Sequence, residues 1–185
     1  MSVYKFDDTS QLSDHFNVAE FRCKCGMAHD TIINSDLPVK LEKLYKKLNC
    51  SAIIINSGYR CPQHDKAVGG SGTGHHVNGN AVDIICFDEN GDKISSKIVS
   101  CVAQDVGFGG IANIDRTYTA THVDVRTSNF WKGDETVTTA YSLTDDFYNY
   151  YGINKSEISG NSDNSRDFSM TFGGRTYVGK ITEKN

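Results

Sequence analysis

Two short stretches of this 185-residue chain carry side chains suited to metal chemistry. The first runs Gly74-His75-His76-Val77-Asn78-Gly79-Asn80-Ala81-Val82-Asp83-Ile84, and the second runs Thr121-His122-Val123-Asp124-Val125-Arg126. Together they supply two imidazoles and a carboxylate, the ligand set of a catalytic zinc ion that keeps a fourth position open for water. The chemistry this implies is hydrolysis.

Such ligands work only if the backbone aims them at one point. Ala81-Val82-Asp83-Ile84-Ile85 reads as a strand in which Ala81 and Asp83 share one face and Val82 and Ile84 the other, so Asp83 stands beside a small neighbour with room for an ion. Asn78-Gly79 is a tight-turn signal that folds the chain back between the histidines and Asp83. In the second stretch His122, Asp124 and Arg126 alternate with Val123 and Val125, which places three polar side chains on one face of a strand whose back is core.

The rest of the chain supplies supporting elements. After the capping cluster Ser35-Asp36-Leu37-Pro38, the residues Leu41, Leu44, Tyr45 and Leu48 recur at helical spacing. Ala52 to Asn56 reads as a short buried strand ending in the turn Ser57-Gly58-Tyr59-Arg60-Cys61-Pro62. A second helix follows Ser95, carries Ile98, Val99, Val102 and Val106 on one face, and stops at Gly107. These elements are expected to form one body over residues 1–155. Residues 156–167 read as a polar linker, and residues 168–185 as a β-hairpin tail turning at Gly173-Gly174, docked on the body or on another chain.

Composition narrows the partners. A net charge of −4 offers no basic footprint for nucleic acid, and no apolar run reaches the ~20 residues that span a bilayer. The first residues lack the basic start and apolar stretch of a secretory signal. The six cysteines are therefore expected as reduced thiols. Cys23-Lys24-Cys25 has the look of half a metal site, but the other cysteines stand at no recognisable ligand spacing, and ordinary thiols are the expectation.

The first stretch resembles the Ser-x-His-x-x-Gly-x-Ala-x-Asp motif of the zinc D-Ala-D-Ala carboxypeptidases and their relatives, the phage endolysins, D-Ala-D-Ala dipeptidases and hedgehog signalling domain. Gly74 stands in place of the Ser. The surrounding text is similar too: Asn56 to Pro62 with His64 and Ala67-Val68-Gly69-Gly70, the earlier Phe16 to Gly26, and the closing His122 to Arg126 up to Trp131, so the resemblance covers about residues 11–131. It implies an α+β fold in which a small antiparallel sheet carries the zinc site on one face and helices pack on the other.

By that resemblance His76, Asp83 and His122 are the zinc ligands. His75 is the rival, but neighbours on an extended chain point apart, and the spacing to Gly79 and Asp83 favours His76. Arg60 is the candidate for handling a substrate carboxylate or the oxyanion of the reaction, with Tyr59 and His64 fixing its loop. Many relatives carry an acid three residues before the second His, where this chain has Thr119. The expected general base is then Asp124, which could instead orient His122, with Asp115 as the alternative. The implied function is zinc-dependent hydrolysis of a stem-peptide bond in bacterial peptidoglycan, on a wall reached by phage-type release, as part of a virion, or as a trimmed secreted chain. The alternatives are a non-catalytic zinc-binding module and a wall-binding or virion structural domain. Trp131, Tyr141, Tyr148, Tyr150 and Tyr151 offer stacking faces for sugar or cover for the sheet.

Overall fold

A computed structural model describes residues 1–135, 146–158, 166–172 and 175–181. In chain order the strands and helices are β1 (Ser2–Tyr4), β2 (Thr31–Ile33), α1 (Asp36–Lys47), β3 (Ala52–Ser57), α2 (Pro62–Ala67), β4 (Ala81–Phe87), α3 (Ser96–Val106), β5 (Gly110–Asn113), β6 (Thr121–Asp124), β7 (Trp131–Asp134), α4 (Phe147–Tyr151), α5 (Lys155–Ile158), β8 (Arg166–Phe172) and β9 (Arg175–Ile181). A 3-10 turn, Val18–Phe21, precedes β2.

Five strands form the central sheet in the order β3-β4-β6-β5-β7. All pairs are antiparallel except β5 with β7, which run parallel along the edge. Alternation divides the faces. Val82, Ile84, Cys86, Ile111 and Val123 are fully buried on the side covered by α1 and α3, where Leu37, Leu41, Leu44 and Val99 meet them. The opposite face presents Asp83, His122 and Asp124. The α+β architecture is therefore the expected one, with a parallel edge pair added to an otherwise antiparallel sheet.

Several local expectations change in detail. Ser35 makes no capping hydrogen bond, and the Asn34 side chain accepts from the Asp36 amide at 3.0 Å instead. The strand around Ala52–Asn56 is an edge strand: Ile53 and Ile55 are buried, but Ile54 is 51% exposed. α3 ends where Gly107 adopts φ +89, the left-handed cap. α5 occupies the start of the expected linker, with the Asn154 side chain accepting from the Ser156 amide and hydroxyl. β8 and β9 pair as an antiparallel hairpin. Residues 159–165, Gly173 and Gly174 where the sequence reading expects the turn, Thr182 and Tyr141 lie outside the described residues.

The parallel edge is fastened from the helical side. Ser96 Oγ donates to Asn113 Oδ1 at 2.5 Å, Asn113 Nδ2 donates to Asp134 Oδ1 at 3.0 Å, and Tyr151 OH donates to Asp134 Oδ2 at 3.0 Å. Buried polar groups must be paired, so this chain of bonds fixes which residues of β5 and β7 point inward and thereby which point to the other face.

Candidate active site

Register brings the two stretches together. Asp83 on β4 lies opposite His122 on β6, and Ala81 opposite Asp124. Because paired residues share a face, Asp83 and His122 project side by side, and the small Ala81 leaves space for the Asp124 carboxylate. His76 arrives from the preceding turn. Gly79 takes φ +67 there, and a Cβ on it would lie 2.4 Å from the Ile32 carbonyl oxygen, so glycine is required for both backbone and space.

His76 Nε2, Asp83 Oδ1 and His122 Nδ1 converge. The His122–Asp83 separation is 2.9 Å, His76–Asp83 is 3.2 Å and His76–His122 is 3.2 Å. A tetrahedral zinc with ligand bonds of about 2.0 Å has edges of about 3.3 Å, so the triangle is the size such an ion needs. The other polar atom of each residue is also occupied. The Gly58 carbonyl accepts from His76 Nδ1 at 2.8 Å, which leaves the Nε2 lone pair facing the site. Arg60 Nη2 donates to Asp83 Oδ2 at 2.5 Å, and Asp124 Oδ2 lies 3.3 Å from His122 Nε2. The acceptors behind His76 and His122 orient the imidazoles and raise their basicity, whereas the Arg60 guanidinium orients Asp83 and stabilises it as the anion.

The charges interlock. Burial disfavours the Asp83 anion, but the hydrogen bond from His122 outweighs it and holds the carboxyl well below its usual range. Burial likewise opposes a charge on His122, but Asp124 and Asp83 on its two nitrogens raise the imidazole to about 9. The His122 ring is thus held between two carboxylates, Asp83 at Nδ1 and Asp124 at Nε2.

The remaining predicted residues lie as follows. Arg60 is beside the triangle, its Nε donating to Ser57 Oγ at 2.8 Å and its Nη1 lying 3.5 Å from the buried Asp65, which Gly72 also holds through its amide. Asp124 is fully buried behind the His122 ring, and Arg126 covers both its oxygens, with Nε at 2.9 Å from each and Nη2 at 2.5 Å from Oδ2. Asp115 is turned into its own loop, where it accepts from Thr117 Oγ1, the Thr119 amide and hydroxyl and the Ala120 amide. Neither acid presents a free oxygen to the triangle. His75 stands outside it, with a buried Nδ1 that has no hydrogen-bond partner among the described residues. Tyr148 and Tyr151 bond Asp105 and Asp134 on the helical side, whereas Trp131 sets its ring 6.0 Å from that of His122.

One acid escapes the sequence reading. His122 is aligned with Ala112 on β5, and Ala112 with Gly133 on β7. Asp134 points to the helical side, so Trp131 and Gly133 lie on the face of the triangle, and Glu135 follows in the same alternation just past the end of β7, its amide continuing the ladder onto the Asn113 carbonyl at 2.8 Å. Ala112 and Gly133 leave a shallow floor between His122 and Glu135. A Cβ on Gly133 would meet the Trp131 indole at 2.7 Å, so glycine lets the ring lie along that floor. Partial desolvation raises the Glu135 pKa, with His122 opposing and Asp83 adding to the shift. The alternation in Trp131-Lys132-Gly133-Asp134-Glu135 was the available signal, but the parallel pairing with β5 is invisible locally.

No curated protein matches the chain. The family model described as Peptidase M15 matches residues 14–124, more than half of the chain, a span that includes Arg60, His76, Asp83, His122 and Asp124. The chain belongs to the Peptidase M15 family.

Proposed function

We propose that the protein is a zinc-dependent peptidase that cleaves a stem-peptide bond of bacterial peptidoglycan, at or beside a D-amino acid, as a D-Ala-D-Ala carboxypeptidase or a lytic endopeptidase. The observation that carries this reading is the triangle of His76, Asp83 and His122, with edges of 2.9–3.2 Å and every second polar atom held by a partner. Membership of the Peptidase M15 family supports it. In this reading residues 1–155 are the catalytic body, the hairpin β8–β9 is an appendage, and the protein acts at the cell wall.

His76 Nε2, Asp83 Oδ1 and His122 Nδ1 hold the metal. A zinc ion bound there supplies a Lewis acid and makes water a usable nucleophile near neutral pH. Asp124 and the Gly58 carbonyl keep the two imidazoles in the ligating tautomer. Glu135 takes the proton from the attacking water as its oxygen bonds to the scissile carbonyl carbon, then returns it to the leaving nitrogen as the C–N bond breaks. Support for Glu135 is its place on the site face, across the floor made by Ala112 and Gly133. Arg60 steadies Asp83, and its remaining N–H groups suit a substrate carboxylate or oxyanion.

Purified sacculi incubated with zinc-loaded protein, with and without chelator, test the reading by mass spectrometry of the products. Released D-Ala identifies a carboxypeptidase, and new amino termini within the stem identify an endopeptidase. Intact sacculi with zinc-loaded protein would overturn the proposal.

A further inference from the structure

A second ligand cluster lies on the far side of the Arg60 turn. The sulfurs of Cys23, Cys25 and Cys61 lie within 4.8 Å of one another, although Cys61 is distant in sequence. They meet because two segments run in direct contact: the Tyr59 amide donates to the Phe21 carbonyl at 2.8 Å, and a Cβ on Gly58 would lie 2.6 Å from that same oxygen. Only glycine allows so close an approach.

Each sulfur also accepts a backbone amide. Cys61 N–H points to Cys23 Sγ at 3.3 Å, Met27 N–H to Cys25 Sγ at 3.4 Å, and His64 N–H to Cys61 Sγ at 3.4 Å. An N–H directed at sulfur favours the thiolate over the thiol. Burial opposes the charge at Cys23, whose thiol it pushes up to about 11, but the three sulfurs converge with an amide on each, and the cation that suits three soft donors and can displace their protons is a thiophilic d¹⁰ ion such as zinc. Zinc–sulfur bonds of about 2.3 Å give edges of about 3.8 Å in a tetrahedron, so the cluster closes on an ion with small side-chain movement. All six cysteines are free thiols in this structure, and a disulfide within the cluster would leave one of its three sulfurs over.

We propose that Cys23, Cys25 and Cys61 bind a second zinc ion as thiolates, with a fourth position for solvent and a structural rather than catalytic role. On binding, each thiol releases its proton to solvent. The ion fastens the 57–62 turn to the 21–25 segment. That turn supplies the Gly58 carbonyl to His76, Ser57 to Arg60, and Arg60 to Asp83. The inference concerns metal binding alone and stands whether or not the protein hydrolyses peptidoglycan.

The test uses the full chain with His76→Ala and His122→Ala, reduced and loaded with Co²⁺ in place of zinc. The expected result is one Co²⁺ per chain with a sulfur-to-cobalt charge-transfer band, lost on adding Cys61→Ser. Absence of the band in the double-histidine variant, or its survival in Cys61→Ser, overturns the proposal. A measurement on the unmutated chain guards against misfolding: a mercurial titrant should release one of two bound zinc ions. Release of none, or an intact-mass loss of two hydrogens marking a disulfide in the cluster, also overturns it.

Discussion

Asp124 stands behind His122: its Oδ2 lies 3.3 Å from Nε2, while Nδ1 on the opposite edge of the ring lies 2.9 Å from Asp83. A carboxylate so placed fixes the tautomer that leaves Nδ1 to ligate; burial opposes its charge, but the bonds from His122 and Arg126 keep it ionised and immobile. Asp124→Asn is therefore expected to weaken zinc affinity by about 10–100-fold. Competition against a chromogenic chelator measures this directly. Unchanged affinity with slowed turnover would put Asp124 on the proton instead.

Glu135 should show the reverse signature. Glu135→Gln keeps size and polarity but cannot accept a proton, so hydrolysis should fall by about 10²–10⁴-fold while zinc stoichiometry stays at the unmutated value. The acid limb of the rate–pH profile should vanish with it. Normal turnover in a zinc-loaded Glu135→Gln protein would remove the residue from the reaction.

The metal-free protein should lose stability as the medium becomes alkaline. His122 is raised to about 9 when folded, against about 6.5 in an unfolded chain, so its contribution is complete below about 6.5 and disappears as pH rises through about 9. Over the same window the proton competing for Nδ1 leaves, and zinc affinity should rise. Melting curves of chelator-treated and zinc-loaded protein check both signs. The alkaline loss belongs to the stripped protein and should shrink in His122→Gln; a stripped protein equally stable at both ends would contradict the charge arrangement.

Much of this site is legible in the sequence because its information is local. The two-residue period puts Asp83 opposite in sense to Val82 and Ile84, and His122 and Asp124 opposite to Val123, so a face of polar residues follows from the strand pattern alone. Asn78-Gly79 marks the turn that returns His76. What the pattern lacks is pairing. Neither the parallel edge that carries Glu135 to the site nor the contact between Phe21 and Gly58 that joins Cys61 to Cys23 and Cys25 has a local signal, because both depend on segments distant in the chain. The likeness in type between Asp115 and Asp124 also hides their environments: one is consumed by its own loop and the other by His122 and Arg126.

Gly110 tests whether the room behind His122 matters as much as the charges there. It pairs with Asp124 on one side and Trp131 on the other, and a Cβ built on it would fall 2.0 Å from Asp124 Oδ2. Asp124 is fully buried and gripped by Arg126, so it has nowhere to retreat without giving up the His122 contact. Gly110→Ala should cost about 1–3 kcal/mol of stability by overpacking and weaken zinc binding in the same direction as Asp124→Asn. Gly74→Ala is the control, since its nearest neighbour would be Ser71 Oγ at 3.7 Å, an ordinary contact. Denaturant melts and chelator competition on both variants separate the two effects. A Gly110→Ala protein that melts and binds zinc like the control would show that Asp124 can move without disturbing His122.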